Sequence, residues 1–106
     1  MNILFVCSRN KWRSRTAEEI FKNHGQHQIR SAGTASSARI PLSQKLINWA
    51  DLIFVMEKRH KVIMLERFTV GNDADRIIIM DIPDEYTFMD EELIVILKAG
   101  VEGYLD

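Results

Sequence analysis

Cys7 is the only cysteine in 106 residues, and Arg13 and Ser14 follow it after five intervening positions. The stretch Cys7-Ser8-Arg9-Asn10-Lys11-Trp12-Arg13-Ser14 leaves an apolar run at 3–6 and leads into the helix-like Thr16-Ala17-Glu18-Glu19-Ile20-Phe21. A strand that ends in a thiol, crosses a tight polar turn and enters a helix gathers backbone N–H groups and the positive end of the helix dipole around one small volume. That volume suits a phosphate. N–H groups and cations around a thiol favour the thiolate, which is the attacking form, so Cys7 reads as a nucleophile. The planar fork of Arg13 can hold two phosphoryl oxygens and stabilise the charge that builds up during transfer. The Ser14 hydroxyl has three open roles: helix cap, partner of the thiolate, or stabiliser of Cys7 as leaving group. Ser8, Arg9, Asn10, Lys11 and Trp12 complete the turn and are candidate phosphate or substrate contacts. A lone cysteine at a strand end is commonly a small buried hydrophobe. Here the coincidence of Cys, Arg, Ser, strand and helix favours chemistry.

Around this turn the chain alternates short apolar runs with helical spacing. Ala17, Ile20 and Phe21 recur at helical intervals until Gly25. A weak second strand is predicted at 28–30, followed by a turn at Ser31-Ala32-Gly33-Thr34. Ser43 is a plausible N-cap for a short helix with Leu46, Ile47 and Trp49, and 52–56 is a third strand rich in β-preferring residues. Helical spacing returns over 57–68 through Val62, Ile63, Leu65 and Phe68, with Lys58, Arg59 and Lys61 on a solvated face. Gly71-Asn72-Asp73 breaks the pattern, 77–80 makes a fourth strand, and 91–104 is a helix with Leu93, Ile94, Leu97 and Val101 on one stripe. Such a pattern predicts a single α/β domain over 1–106, a parallel sheet with helices on both faces and right-handed crossovers. Ligands on such sheets bind beyond the carboxyl ends of the strands, where Cys7 and the segment Asp81–Asp84 both fall.

With 46% hydrophobic and 27% charged residues, the composition fits one globular domain with a modest core. A formal net charge of −1 predicts no general attraction to nucleic acid or membrane, although Arg9, Lys11, Arg13 and Arg15 make the turn locally cationic. No apolar run reaches bilayer-spanning length and the N-terminus lacks the parts of a signal peptide, so a cytoplasmic protein is expected. One cysteine permits no internal disulfide and no Cys-rich zinc site. His24, His27 and His60 lack partners at metal-ligand spacing and read as surface or helix-end residues, and no metal or other cofactor is expected.

The run from Val6-Cys7 to Arg13-Ser14 resembles the signature of the low-molecular-weight protein tyrosine phosphatases, in which Cys, five residues, Arg and Ser follow the first strand. Two further stretches resemble the same family in the same order: Ser31-Ala32-Gly33-Thr34, which in the family lies against the phosphate loop, and Asp81-Ile82-Pro83-Asp84 followed by Tyr86. The resemblance implies a four-stranded sheet of order 2-1-3-4, and hydrolysis of an aryl or protein-tyrosine phosphate through a phosphocysteine. Its partners would be a phosphorylated protein or small aryl phosphate as substrate, and inorganic phosphate or a similar oxyanion as product or inhibitor. A poor leaving group needs a proton. In the family the acid is the Asp after Pro, here Asp84, with Asp81 the competing candidate.

This chain also departs from the family pattern. The family normally has Gly where Arg9 stands, a second Cys where Trp12 stands and Pro where Arg15 stands. Trp12 removes the neighbouring thiol that in many relatives can protect the nucleophile as a disulfide. The segment between Thr34 and Trp49 is much shorter than its counterpart, which normally walls the cleft and carries aromatic specificity residues. An open site is therefore expected, with Trp12, Tyr86 and Phe88 as candidate replacements for the lost wall. Two functions follow: a cysteine-dependent phosphomonoesterase, or a binding module that keeps the cradle with little turnover. Thioredoxin-coupled arsenate reduction on the same fold is disfavoured, because it needs additional cysteines.

Overall fold

The computed structural model describes residues 1–71 and 73–105; Asn72 of the expected break at 71–73 lies outside the described residues. Four parallel strands, β1 (Asn2–Cys7), β2 (Gln28–Gly33), β3 (Leu52–Val55) and β4 (Ile77–Ile79), form one sheet of order β2-β1-β3-β4. Four helices connect and cover them: α1 (Arg13–Phe21), α2 (Gln44–Trp49), α3 (Lys58–Arg67) and α4 (Glu91–Val101). The order expected from the resemblance is the order observed.

Because side chains alternate along a strand, the sheet feeds two cores. Ile3, Phe5 and Cys7 of β1 join Phe54 and Met56 against Ala17 and Phe21 of α1 and Leu93, Leu97 and Val101 of α4. Leu4 and Val6 point the other way, with Ile53 and Val55, against Ile47 of α2 and Met64 of α3. All of these side chains are buried, so β1 is covered on both faces and the position of its carboxyl end is rigidly set. The connection after β1 leads to β2 on one side and β3 lies on the other. Cys7 therefore stands at the point where strand order reverses, the usual ligand crevice of such sheets.

Three expectations need correction. Ser31, Ala32 and Gly33 are not a turn: they extend β2, in register with Phe5, Val6 and Cys7. The buried face of α3 is His60 and Met64, whereas Val62 and Leu65 are exposed. The closing helix ends at Val101, and Glu102–Tyr104 tighten into a 3-10 turn. Ser43 caps α2 as expected, accepting a hydrogen bond from Leu46 N.

Candidate active site

The loop after β1 needs one left-handed residue, and Asn10 supplies it with φ +57°. Arg9, which stands where the family has Gly, keeps an ordinary φ. Asn10 is fully buried, and its Nδ2 donates to Ser14 Oγ at 2.7 Å. Ser14 Oγ in turn lies 2.9 Å from Cys7 Sγ and 3.3 Å from Ala32 O. Since Ser14 accepts from Asn10, its one proton is left for the sulfur or for the Ala32 carbonyl. Ser14 is not the helix cap: α1 begins at Arg13 after Trp12, which makes no side-chain capping bond. The first N–H groups of α1 thus have no side-chain cap from Trp12.

Arg13 is almost completely buried, which an unpaired guanidinium would not tolerate. Its Nη1 donates to Glu57 Oε2 at 2.6 Å and to Ile82 O at 2.8 Å, and its Nε is 3.7 Å from Asp84 Oδ1. Glu57 precedes α3 and also accepts from Arg59 Nη2 at 3.0 Å. Burial raises the Glu57 pKa, but hydrogen bonds from Arg59 and Arg13 and their charges outweigh it and hold the carboxyl at about 2. Ile82 is the pivot of the acid segment: its side chain is in the core, its N–H donates to Met56 O at 2.8 Å and its carbonyl receives Arg13.

Ser8 is held from α3. His60 Nδ1 accepts from Glu57 N at 3.0 Å, so in the neutral ring the proton is on Nε2, which donates to Ser8 Oγ at 2.9 Å. That leaves the Ser8 hydroxyl proton free. Desolvation, joined by the charges of Arg13 and Arg59, lowers the His60 pKa to about 4 against the partial opposition of Glu57 and Asp84. The reading of His60 as a surface residue is therefore wrong; it lies in the first turn of α3 but is fully buried.

The other support is main chain on main chain. Ala35 N donates to Ser8 O at 2.9 Å, Arg39 N to Arg9 O at 3.0 Å, and Thr34 N to Cys7 O at 2.9 Å. Gly33 is needed for this contact: a Cβ there would stand 2.5 Å from Ser8 O and 2.6 Å from Ala38 Cβ. The Ser31–Thr34 stretch does lie against the phosphate loop, as a strand end. The short segment after Thr34 is a brace for the loop.

A cavity of about 310 Å³ opens over Cys7, lined by Ser8, Arg9, Lys11, Trp12, Arg13, Arg59 and Asp84. It brings together most of the residues singled out in the sequence. Asn10 supports the loop from behind, and Asp81, at φ +56°, borders a different depression with Pro83 and Glu57. Tyr86 is outside the cavity lining and packs against the α1/α4 core, its hydroxyl donating to Glu92 Oε1 at 3.4 Å. Phe88 lies under the Arg15 guanidinium at 4.3 Å, so of the three candidate aromatics Trp12 alone lines the cavity. Glu57, Arg59 and His60 escaped the sequence reading as site residues. Among the described residues no group of three or more His, Cys, Asp or Glu could hold a metal ion, and no helix is long and apolar enough to cross a membrane.

A thiol at the mouth of a tight loop that opens into a helix N-terminus, with a buried arginine and a carboxylate lining the same cavity, defines a cysteine-dependent phosphatase. No family model matches the chain. A low molecular weight protein tyrosine phosphatase from Bacillus subtilis, solved in solution, is 30% identical over 76% of this chain and 70% of its own, with a TM-score of 0.61. A protein-arginine-phosphatase of B. subtilis is 29% identical over 104 residues, spanning 73% of this chain and 68% of the relative. The low molecular weight protein tyrosine phosphatase of Streptococcus pyogenes shares the fold with a TM-score of 0.79 at 18% identity, over 98% of this chain and 90% of its own. The chain belongs to the low molecular weight protein tyrosine phosphatase family and is a hydrolase of the cysteine-phosphatase type, acting on a phosphorylated substrate.

Proposed function

We propose that residues 1–106 act as one domain that hydrolyses aryl phosphates, with phosphotyrosine in a protein or peptide as the substrate. The observation that carries the reading is that Cys7, Arg13 and Asp84 line one cavity, with Arg13 Nε 3.7 Å from Asp84 Oδ1. The Cys7 thiolate attacks phosphorus, forming an S–P bond as the P–O bond to the phenol breaks. Asp84 gives its proton to the departing oxygen, since a phenoxide leaves poorly without one. In the second step Asp84 takes a proton from water, the water oxygen attacks phosphorus, and the S–P bond breaks to release inorganic phosphate and the thiolate. Arg13 holds two equatorial oxygens through both steps, and the Ser14 proton stabilises the sulfur each time it carries negative charge. Ser8, Arg9 and Lys11 contribute N–H groups and positive potential, and Trp12 offers a face to the aromatic leaving group. Free phosphate, having the same three-oxygen face, acts as product inhibitor. A reducing cytoplasm suits a nucleophilic thiol with no second cysteine to protect it.

The relative that is a protein-arginine-phosphatase supports a second reading, a phosphoarginine substrate. Arg9, Lys11 and Arg59 around the opening weigh against it, because they repel the cationic guanidinium released as leaving group. Parallel hydrolysis of a phosphotyrosine and a phosphoarginine peptide of the same sequence separates the two. The expected result is a higher kcat/KM for phosphotyrosine; preference for phosphoarginine overturns the assignment. Binding of either peptide without phosphate release would instead favour the binding module.

A further inference from the structure

Arg9 and Lys11 border not one cavity but two. The second, of about 200 Å³, is completed by Ser37 and Arg39 on the short segment after Thr34. Three of its four lining side chains are cationic and none is acidic. Among the described residues Arg9 and Lys11 form no ion pair, whereas Arg39 Nη2 pairs with Glu18 at 3.9 Å, so the uncompensated charge is that of Arg9 and Lys11. Like charges gathered around a small concavity repel one another, and an anion is what relieves that repulsion.

The position of the second cavity is set by hydrogen bonds to the loop's backbone carbonyls. Arg39 N donates to Arg9 O at 3.0 Å, Arg39 Nε donates to Asn10 O at 3.1 Å, and Ala35 N holds Ser8 O. A substrate whose phosphoryl sits on Cys7 therefore meets the second cluster at a set distance, with Lys11 between.

We propose that this cavity is a second oxyanion subsite, taking a carboxylate or phosphoryl group carried beside the phosphoresidue on the same peptide. The proposal rests on the phosphatase reading for its first site and gives the short segment after Thr34 a role in substrate selection. No bond is made or broken there; the subsite acts through charge and hydrogen bonding alone.

The test measures binding in the Cys7→Ser protein, so that it does not depend on turnover. Three phosphotyrosine peptides of one length are compared: neutral flanks, a flanking glutamate, and a flanking phosphoserine. At low salt the anionic peptides are expected to bind about tenfold more tightly than the neutral one, with the gap shrinking as salt screens it. Ser37 is exposed and belongs to no catalytic contact, so Ser37→Glu places a carboxylate in the subsite without disturbing the fold. It is expected to abolish the preference, and Ser37→Lys to enlarge it, while both leave hydrolysis of a small aryl phosphate by the Cys7 protein unchanged. A gain for phosphoserine alone identifies phosphoryl as the group recognised. Equal binding of all three peptides, or a preference that survives Ser37→Glu, overturns the subsite. Failure of the Cys7 protein to hydrolyse the aryl phosphate overturns the phosphatase reading instead.

Discussion

Arg13 Nη1 donates to Glu57 Oε2 at 2.6 Å across 44 positions of sequence, tying the end of the phosphate loop to the start of α3. The carboxylate offsets the cost of burying the guanidinium and fixes the plane in which its remaining N–H groups meet a phosphate. Glu57→Gln keeps the shape and removes the charge. Loss of a charged hydrogen bond of this kind is expected to lower kcat/KM for an aryl phosphate by roughly 10–100-fold. Steady-state kinetics of that variant beside Lys58→Gln, a neighbour that among the described residues makes no ion pair with Arg13, checks it. Equal rates in both would show that Glu57 does not position the arginine.

Gly33 makes the contact between β2 and the loop. Its replacement by Ala puts a methyl 2.5 Å from a backbone carbonyl that cannot step aside without moving Ser8. Gly33→Ala is expected to destabilise the fold by about 1–3 kcal/mol, the range for overpacking, and to weaken phosphate binding as well. Gly103, around which no atom lies within 4 Å of such a methyl, is the control. Urea unfolding with and without phosphate measures both effects.

Acid sensitivity follows from His60 and then from Glu57. Both have folded-state pKa values below the ordinary ones, His60 at about 4 against 6.5 and Glu57 at about 2 against 4.5. The stability each contributes is complete above its ordinary value and is lost as pH falls toward its folded value. As pH drops from 6.5 toward 4 the unfolded chain takes up a proton on His60 that the buried ring refuses, with a slope of up to about 1.4 kcal/mol per pH unit. Protonation would also turn Nδ1 from acceptor to donor and break its bond from Glu57 N. His60→Gln is expected to start less stable at pH 7 but to lose less between pH 6.5 and 4. Equal pH slopes in the two proteins would contradict the burial of a neutral ring.

Asp84 and Asp81 are three residues apart and face different openings, so their Asn variants should separate chemistry from structure. Asp84→Asn is expected to slow hydrolysis of an unactivated aryl phosphate by roughly 10²–10⁴-fold, the worth of general acid catalysis. The loss should shrink for substrates with very good leaving groups. Asp81→Asn should leave the rate close to that of the unaltered protein. Similar rates in both variants would remove Asp84 from the mechanism.

The nucleophile loop and the sheet were readable in the sequence because both rest on local pattern. Cys7, Arg13 and Ser14 keep a fixed spacing, and the apolar run at 3–6 is buried on both faces as a central parallel strand must be. What escaped is non-local. Ser31-Ala32-Gly33 reads as a turn because its residues are small, yet they continue β2, and Gly33 must be small because the loop lies against the strand end there. Glu57 and His60 sit among Lys58, Arg59 and Lys61, where charge suggests a solvated helix start; only the fold shows that Arg13 and Ser8 reach them. Val62 and Leu65 suggested the buried face of α3, but that face is set by His60 and its bond to the loop. Tyr86 matched the family pattern in position, yet in space its ring belongs to the α1/α4 core.

The central claim is that Cys7 carries the phosphoryl group during turnover. Rapid acid quench of the protein with an aryl phosphate, followed by mass spectrometry of the peptide containing Cys7, tests it directly, with Cys7→Ser hydrolysis measured alongside. The expected result is a phosphoryl group on Cys7 that accumulates and decays at rates consistent with kcat, and loss of nearly all turnover in Cys7→Ser. Steady hydrolysis with no phosphoryl on Cys7, retained by Cys7→Ser, would contradict the account.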